Sequence, residues 1–275
     1  MLCAILLGAG LGYVALAFDV AKDTAVSERR FGQLARDDAR QLRVYIEALT
    51  VDAVNDTMRL RVSFAPNLAL RARRMEGPDR DITAQLDDGD TVQELVFHVH
   101  QPMAAAAFDA DLHDDSVGAY PLDRFRAGLR LLAQEPGGAP VPLQVIVWEG
   151  IAGWTLAAVQ MPSEEAGGVQ LRFSVRRSAG VRVLALAIYA EMTLVACVAL
   201  TIGGLVFLRR KPAESNLAGA LGGMLFALPA MRYGMPGGPP LGVRADLLVF
   251  LWAELAVALA LLLFVVVWAQ PAERK

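Results

Sequence analysis

Two hydrophobic patterns of different period divide this chain. Residues 42–180 alternate between apolar and polar positions, whereas 2–18 and 183–269 are almost continuously apolar. Alternation with period two sends successive side chains to opposite faces and marks half-buried strands. It is clean where Leu42, Val44 and Ile46 alternate with Arg43, Tyr45 and Glu47, and where Leu60, Val62 and Phe64 alternate with Arg59, Arg61 and Ser63. It returns where Phe125, Ala127, Leu129 and Leu131 stand against Arg124, Arg126 and Arg130, and where Val169, Leu171, Phe173 and Val175 stand against Gln170, Arg172, Ser174 and Arg176. Less regular runs at 82–86, 92–99, 143–148 and 154–160 predict further strands, separated by turn-forming sequences such as Asp87-Asp-Gly-Asp90 and Glu135-Pro-Gly-Gly138. About seven to nine short strands without a long helix predict an all-β, sandwich-like domain over 42–180. The charged, alanine-rich stretch 22–41 reads as a stalk or short helix.

The continuous apolar runs have a different reading. A helix needs about 20 mostly apolar residues to cross the hydrocarbon of a bilayer. Val183 to Leu208 meets this with Glu191 as the sole interruption, and Leu247 to Ala269 meets it with Glu254 alone inside. A third span, 215–234, is shorter and carries Pro229 and Arg232 near its end. The first run, Leu2 to Phe18, is a marginal span and has two readings. As residues 1–21 it is an N-terminal transmembrane anchor; the small-x-small Ala15-Leu16-Ala17 also suits a cleaved signal peptide, although no basic region precedes it. The predicted architecture is a membrane protein of mixed class: an extracytoplasmic β domain and about four transmembrane helices, three of them within 181–275 at about 183–208, 215–234 and 246–270.

Charge sets the orientation. Arg209-Arg210-Lys211 follows the second run and Arg274-Lys275 the fourth. The positive-inside rule puts both clusters in the cytoplasm, which makes residues 22–180 extracytoplasmic and both termini cytoplasmic in the cell membrane. The net charge of −3 gives no reason to expect nucleic acid as a partner. The two cysteines, Cys3 and Cys197, sit singly in different apolar runs and make neither a disulfide framework nor a metal site. The expected partners are the lipid bilayer and other membrane proteins of a complex.

Three groups of residues deserve chemical weighing. His98, His100 and His113 fall close together; a His-x-His pair on one strand face presents two imidazoles to a metal, but that spacing alone is a weak signal, and solvated histidines are the commoner outcome. Gly8 and Gly12, and Ser215, Gly219 and Gly223, are small residues four apart that let helix backbones approach, so the first and third spans are candidates to pack together. Glu191 lies eight residues after Val183 and Glu254 eight after Asp246, each roughly 12 Å along its helix, with Arg232 near the end of the span between them. Ionised side chains in lipid face a bundle interior or one another. The structural reading is an Arg232–Glu254 pair or a network shared with Glu191; the functional reading is proton or solute handling, or docking of another subunit. No nucleophile elbow, phosphate loop or zinc-protease motif is present, so no enzyme activity and no cofactor is expected.

Two stretches carry a family resemblance. Tyr120-Pro-Leu-Asp-Arg-Phe125 is similar to a Tyr-Pro-Phe-Asp-Arg-Tyr motif, with Leu122 and Phe125 departing from its aromatics. Phe226-Ala-Leu-Pro-Ala-Met-Arg232, Met235-Pro-Gly-Gly-Pro-Pro-Leu-Gly242, Asp246 and Phe250-Leu-Trp-Ala-Glu254 resemble the membrane signature of the same family. That family is domain of unknown function 4436, actinobacterial multi-pass membrane proteins, and the resemblance runs in order along essentially the whole chain. It implies this architecture and assigns no activity. Physically, Pro121 fixes φ before the strand that starts at Arg124, and Asp123 suits bonds to turn amides. Pro236, Pro239 and Pro240 stiffen a short loop, and Asp246 suits the N-terminus of the last helix.

Overall fold

The computed structural model describes residues 27–32, 40–67, 69–71, 77–114, 118–163, 165–208 and 212–270. Eleven strands are formed among them: β1 (Glu28–Gly32), β2 (Leu42–Asp52), β3 (Thr57–Pro66), β4 (Ile82–Asp87), β5 (Val92–Phe97), β6 (Ala106–Asp111), β7 (His113–Asp114), β8 (Arg124–Gln134), β9 (Leu143–Trp148), β10 (Trp154–Met161) and β11 (Val169–Arg177). Three helices follow: α1 (Ala179–Phe207), α2 (Ser215–Tyr233) and α3 (Asp246–Trp268), whose first five residues are wound as a π-helix. The chain divides into two compact units, Met1–Val117 with Asp123–Gly180, and Gly118–Leu122 with Val181–Lys275.

The strand unit holds two sheets. One has the order β1-β9-β2-β3-β6; the other runs β10-β11-β8-β4-β5, with β7 beside β8. All pairings are antiparallel except β2 with β9. Both sheets send their apolar positions into one core, where Leu42, Val44 and Ile46 of the first meet Leu129, Leu131 and Phe173 of the second. Alternation caused this: β8 buries Phe125, Ala127, Leu129, Leu131 and Ala133 and exposes Arg124, Arg126 and Arg130. The buried charged groups Asp123, Glu149 and Arg177 of this unit are paired. Asp123 receives the Arg177 Nε at 2.8 Å, and the Arg177 guanidinium lies 4.7 Å from the centre of the Trp154 ring. The Glu149 carboxylate accepts from the Ser27 hydroxyl and the Ala158 amide, tying β10 to the strand before it.

The region expected to be a stalk or short helix departs from expectation. Glu28–Gly32 is an edge strand paired with β9. Backbone pairing over five residues along the β9 edge outweighs the helical bias of a charged, alanine-rich sequence. Asp123 also differs, since its carboxylate takes a buried guanidinium in place of turn amides.

In the helical unit, α1 buries Ala185, Tyr189, Met192, Ala196, Ala199, Gly203 and Val206, spaced alternately by four and three. That is a heptad seam. α3 repeats the spacing with Ala253, Val257, Ala260 and Phe264. A Cβ built on Gly203 would stand 2.7 Å from the Ala260 carbonyl oxygen, so the two backbones touch there. Fourteen residues earlier on both helices, the Tyr189 hydroxyl donates to Asp246 Oδ1 at 3.0 Å. Equal spacing in the same direction means that α1 and α3 run parallel. Two helices among the described residues, α1 and α3, are long and apolar enough to cross a membrane. Four were expected. α2 falls short because Asn216, three glycines, Pro229 and Arg232 dilute its apolar content, and the first run lies outside the described residues.

Candidate functional site

The ionic centre of the helical unit is Arg232 with Asp246. Arg232 closes α2, Asp246 opens α3, and both are almost wholly buried. Arg232 presents two nitrogens to the carboxylate: Nε meets Oδ1, and an Nη meets Oδ2 at 2.6 Å. Such bidentate pairing is the strongest form of ion pair available to side chains. The same Nη donates to the carbonyls of Pro239 and Pro240, at 3.2 and 2.9 Å. Asp246 in turn accepts from the Tyr189 hydroxyl and from the Gly242 amide at 3.1 Å.

The proline-rich loop is therefore held from within. Three of its backbone groups point at the pair, and Tyr120 holds a fourth by donating its hydroxyl to the Pro236 carbonyl at 2.9 Å. Gly118 adds a backbone bond, accepting from the Arg244 amide at 3.0 Å. Prolines supply carbonyls without competing donors, which suits a loop read by a guanidinium.

This corrects the expected network. Arg232 pairs with Asp246 and not with Glu254, because the two helix ends that flank one short loop share a depth, while Glu254 lies eight residues deeper, about 12 Å. Asp246 accordingly spends its oxygens on Arg232, Tyr189 and Gly242 and makes no cap bond to its own helix. Glu191 is exposed on α1, away from the seam. Glu254 sits beside the seam, and its Oε1 is buried with no hydrogen-bond partner among the described residues. Tyr189 was not foreseen; a tyrosine on the seam of an otherwise aliphatic and alanine-rich span was its signal.

The remaining candidates separate. Ser215, Gly219 and Gly223 lie on an exposed face of α2, and nothing stands within 4 Å of a Cβ built on either glycine. Gly8 and Gly12 lie outside the described residues. The close helix approach is instead made by Gly203. The histidines do not converge: β5 ends at Phe97, so His98 and His100 leave the strand, with His100 at φ 65° in a turn. His98 faces Asp81 at 3.6 Å, and His113 is on β7 opposite Arg126. No group of three metal-ligating side chains occurs among the described residues. In the Tyr120–Phe125 motif, Tyr120 and Pro121, joined by a cis peptide bond, belong to the helical unit, whereas Asp123 and Arg124 belong to the strand unit.

Residues 33–175 match the domain of unknown function DUF4436. The chain belongs to the DUF4436 family. The DUF4436 match ends two residues before the last residue of β11, and residues 177–271 match a second domain of unknown function, DUF8686. The motif at Tyr120–Phe125 thus falls in DUF4436, and the Phe226–Glu254 signature, expected to belong to that same family, falls in DUF8686. No curated protein matches the chain.

Proposed function

We propose that this protein is a non-enzymatic, multi-pass integral membrane protein of the cell membrane, an accessory or scaffolding subunit that presents a β-sandwich domain to the extracytoplasmic space. The observation that carries the reading is the parallel pairing of α1 with α3. Two parallel helices that both span force the chain between them to cross back, and α2, 19 residues or about 28 Å long, is the helix in that interval. Its single buried charge, Arg232, is neutralised by Asp246 at the helix end, which removes the main penalty for inserting it. Large apolar side chains point outward all along both helices, among them Leu194, Phe207, Leu248, Leu262 and Trp268, a surface that water solvates poorly. With Leu2–Phe18 as a further anchor, the bundle has about four helices, and Arg209–Lys211 on the cytoplasmic side leaves both termini there.

Scaffolding is the use that fits. The buried polar groups brace the proline-rich loop, and Ser215, Gly219 and Gly223 offer an open, small-residue face to another helix, whether Leu2–Phe18 or a different subunit. Purification from the native host in mild detergent, followed by identification of whatever is retained, is the test. A reproducible membrane partner is expected; monomer alone in every preparation overturns the reading.

One observation favours a second reading. The unpartnered Oε1 of Glu254 at membrane depth is a group able to exchange a proton or hold a polar solute. Transport through Glu254, with Glu191, predicts a pH-dependent flux in proteoliposomes that Glu254→Gln abolishes while folding is retained.

A further inference from the structure

Glu254 lies eight residues beyond Asp246 and fourteen before Trp268, about 12 Å and 21 Å from the two ends of α3. From that depth a short carboxyl side chain cannot bring its charge to the interface, as the long stems of lysine and arginine do. Its Oε1 is buried without a hydrogen-bond partner among the described residues, while the residue as a whole is half-buried. Glu254 stands at the border of two faces of α3. On one side is Val257 of the seam with α1; on the other, Leu247, Leu251 and Ala258 are exposed. Leu247, Leu251, Glu254 and Ala258 follow one another at intervals of four, three and four residues, the spacing at which a second helix packs. Ala258, one turn deeper than the carboxyl, leaves room for a close approach.

The chain offers this carboxyl no cation. Arg232 ends α2 at the level of Asp246 and is committed to that residue and to the Pro239 and Pro240 carbonyls. Arg182 and Arg244 stand on the far side of that level, since Arg182 precedes Tyr189 by seven residues, Arg244 precedes Asp246 by two, and Tyr189 is bonded to Asp246. No basic residue occurs in Leu2–Phe18, Val183–Leu208 or Leu247–Ala269, and Arg232 is the basic residue of 215–234. Neither these runs nor a second copy of them can set a positive charge beside Glu254. Glu191 is in a different position. The contacts of Tyr189 with Asp246 and of Gly203 with Ala260 put it level with Leu248, two residues past the Arg232–Asp246 pair. It is exposed there, near the helix end, whereas Glu254 is six residues or about 9 Å deeper.

Ionisable side chains within a membrane face a bundle interior and pair with an opposite charge. We propose that the face of α3 around Glu254 docks a transmembrane helix of a different protein, one that carries an arginine or lysine at the depth of Glu254. Each charge removes the other's penalty for leaving water, so the two helices are matched by depth as well as by sign. The proposal rests on the scaffolding reading and names the chemistry of the partner.

The test places the photoreactive residue benzoylphenylalanine at Leu251, on the open face one turn before Glu254, in the full chain expressed in its native host. A crosslink is expected to a different polypeptide, within a span that contains arginine or lysine. Its yield is expected to fall about tenfold in Glu254→Gln and to hold in Glu191→Gln. Changing the partner's basic residue to leucine should reproduce the loss with this chain untouched, which decides the matter should Glu254→Gln fold poorly. Crosslinks to lipid alone, to a second copy, to Leu2–Phe18 or to a span without a basic residue overturn the proposal, as does a yield indifferent to Glu254→Gln. A partner that Glu254→Gln retains in mild detergent removes this assignment and leaves the scaffolding reading in place. Monomer alone in every preparation of the parent overturns that reading itself, so the two failures are told apart.

Discussion

Single residues in this protein show how environment sets the worth of one kind of ion pair. Arg59–Asp109 is exposed, with about half of each side chain in contact with water. The Arg59 hydrogen bonds hold the Asp109 carboxyl below its usual range, despite a small opposing effect of burial. A depressed folded-state value stabilises above the unfolded carboxylate range, near pH 4, and is lost as pH falls through the folded value. Asp109→Asn is therefore expected to lower the melting temperature slightly at neutral pH, by under about 1 kcal/mol, and to match the parent in strong acid. Melting curves of the full chain at the two pH values check this. Arg232–Asp246 is the buried counterpart. Removing one partner strands a charge, so Asp246→Asn is expected to destabilise the helical unit by about 3–5 kcal/mol, while Arg232→Met/Asp246→Leu costs less than the two single changes together. Unfolding in detergent of the parent, Arg232→Met, Asp246→Leu and the double variant reads out the coupling. The missed partner of Arg232 was legible in principle. Counting depth along the helices places Asp246 level with Arg232 and Glu254 a turn and more beyond reach, but treating Asp246 as a cap for its own helix hid it.

At the scale of elements, glycine has opposite meanings on neighbouring helices. Gly203 meets the Ala260 backbone, which cannot yield as a flexible side chain does, so Gly203→Ala is expected to force α1 and α3 apart and to destabilise the unit. Gly219 has open space, and Gly219→Ala is expected to gain up to about 1 kcal/mol of helix propensity in isolated protein. Comparing the melting temperatures of the two variants separates a packed glycine from a free one; in a complex, the Gly219 gain should turn into a loss if a partner helix uses that face. Strands were legible to the degree that their two faces differ. β8 and β11 are buried on one side and wet on the other, so alternation announced them. β1 is an exposed edge strand of five residues, and β6 alternates alanine with alanine or aspartate for most of its length, so neither carries a period strong enough to read. The helical face that packs was likewise obscure in spans where nearly every position is apolar: a heptad seam of alanines stands out only once its partner is in place.

For the whole molecule, the parallel α1–α3 pair makes a prediction about sidedness. If both span, Gly237 and Lys211 must lie on opposite sides of the bilayer. Single cysteines introduced as Gly237→Cys and Lys211→Cys in a Cys3→Ser/Cys197→Ser background are expected to react with an impermeant maleimide from opposite faces of intact and inverted vesicles. Labelling of both from one face would mean that the chain does not cross between α1 and α3.

The same pairing constrains biogenesis. Tyr189 is synthesised 57 residues before Asp246, and Gly203 the same distance before Ala260. A ribosome feeding this chain into the translocon therefore releases α1 with its groove unfilled and Arg232 without its counterion. Neither is satisfied until α3 threads in beside α1, so a nascent chain halted before Asp246 should be a substrate for membrane proteases, and commitment to the finished pairing waits until α3 has been made.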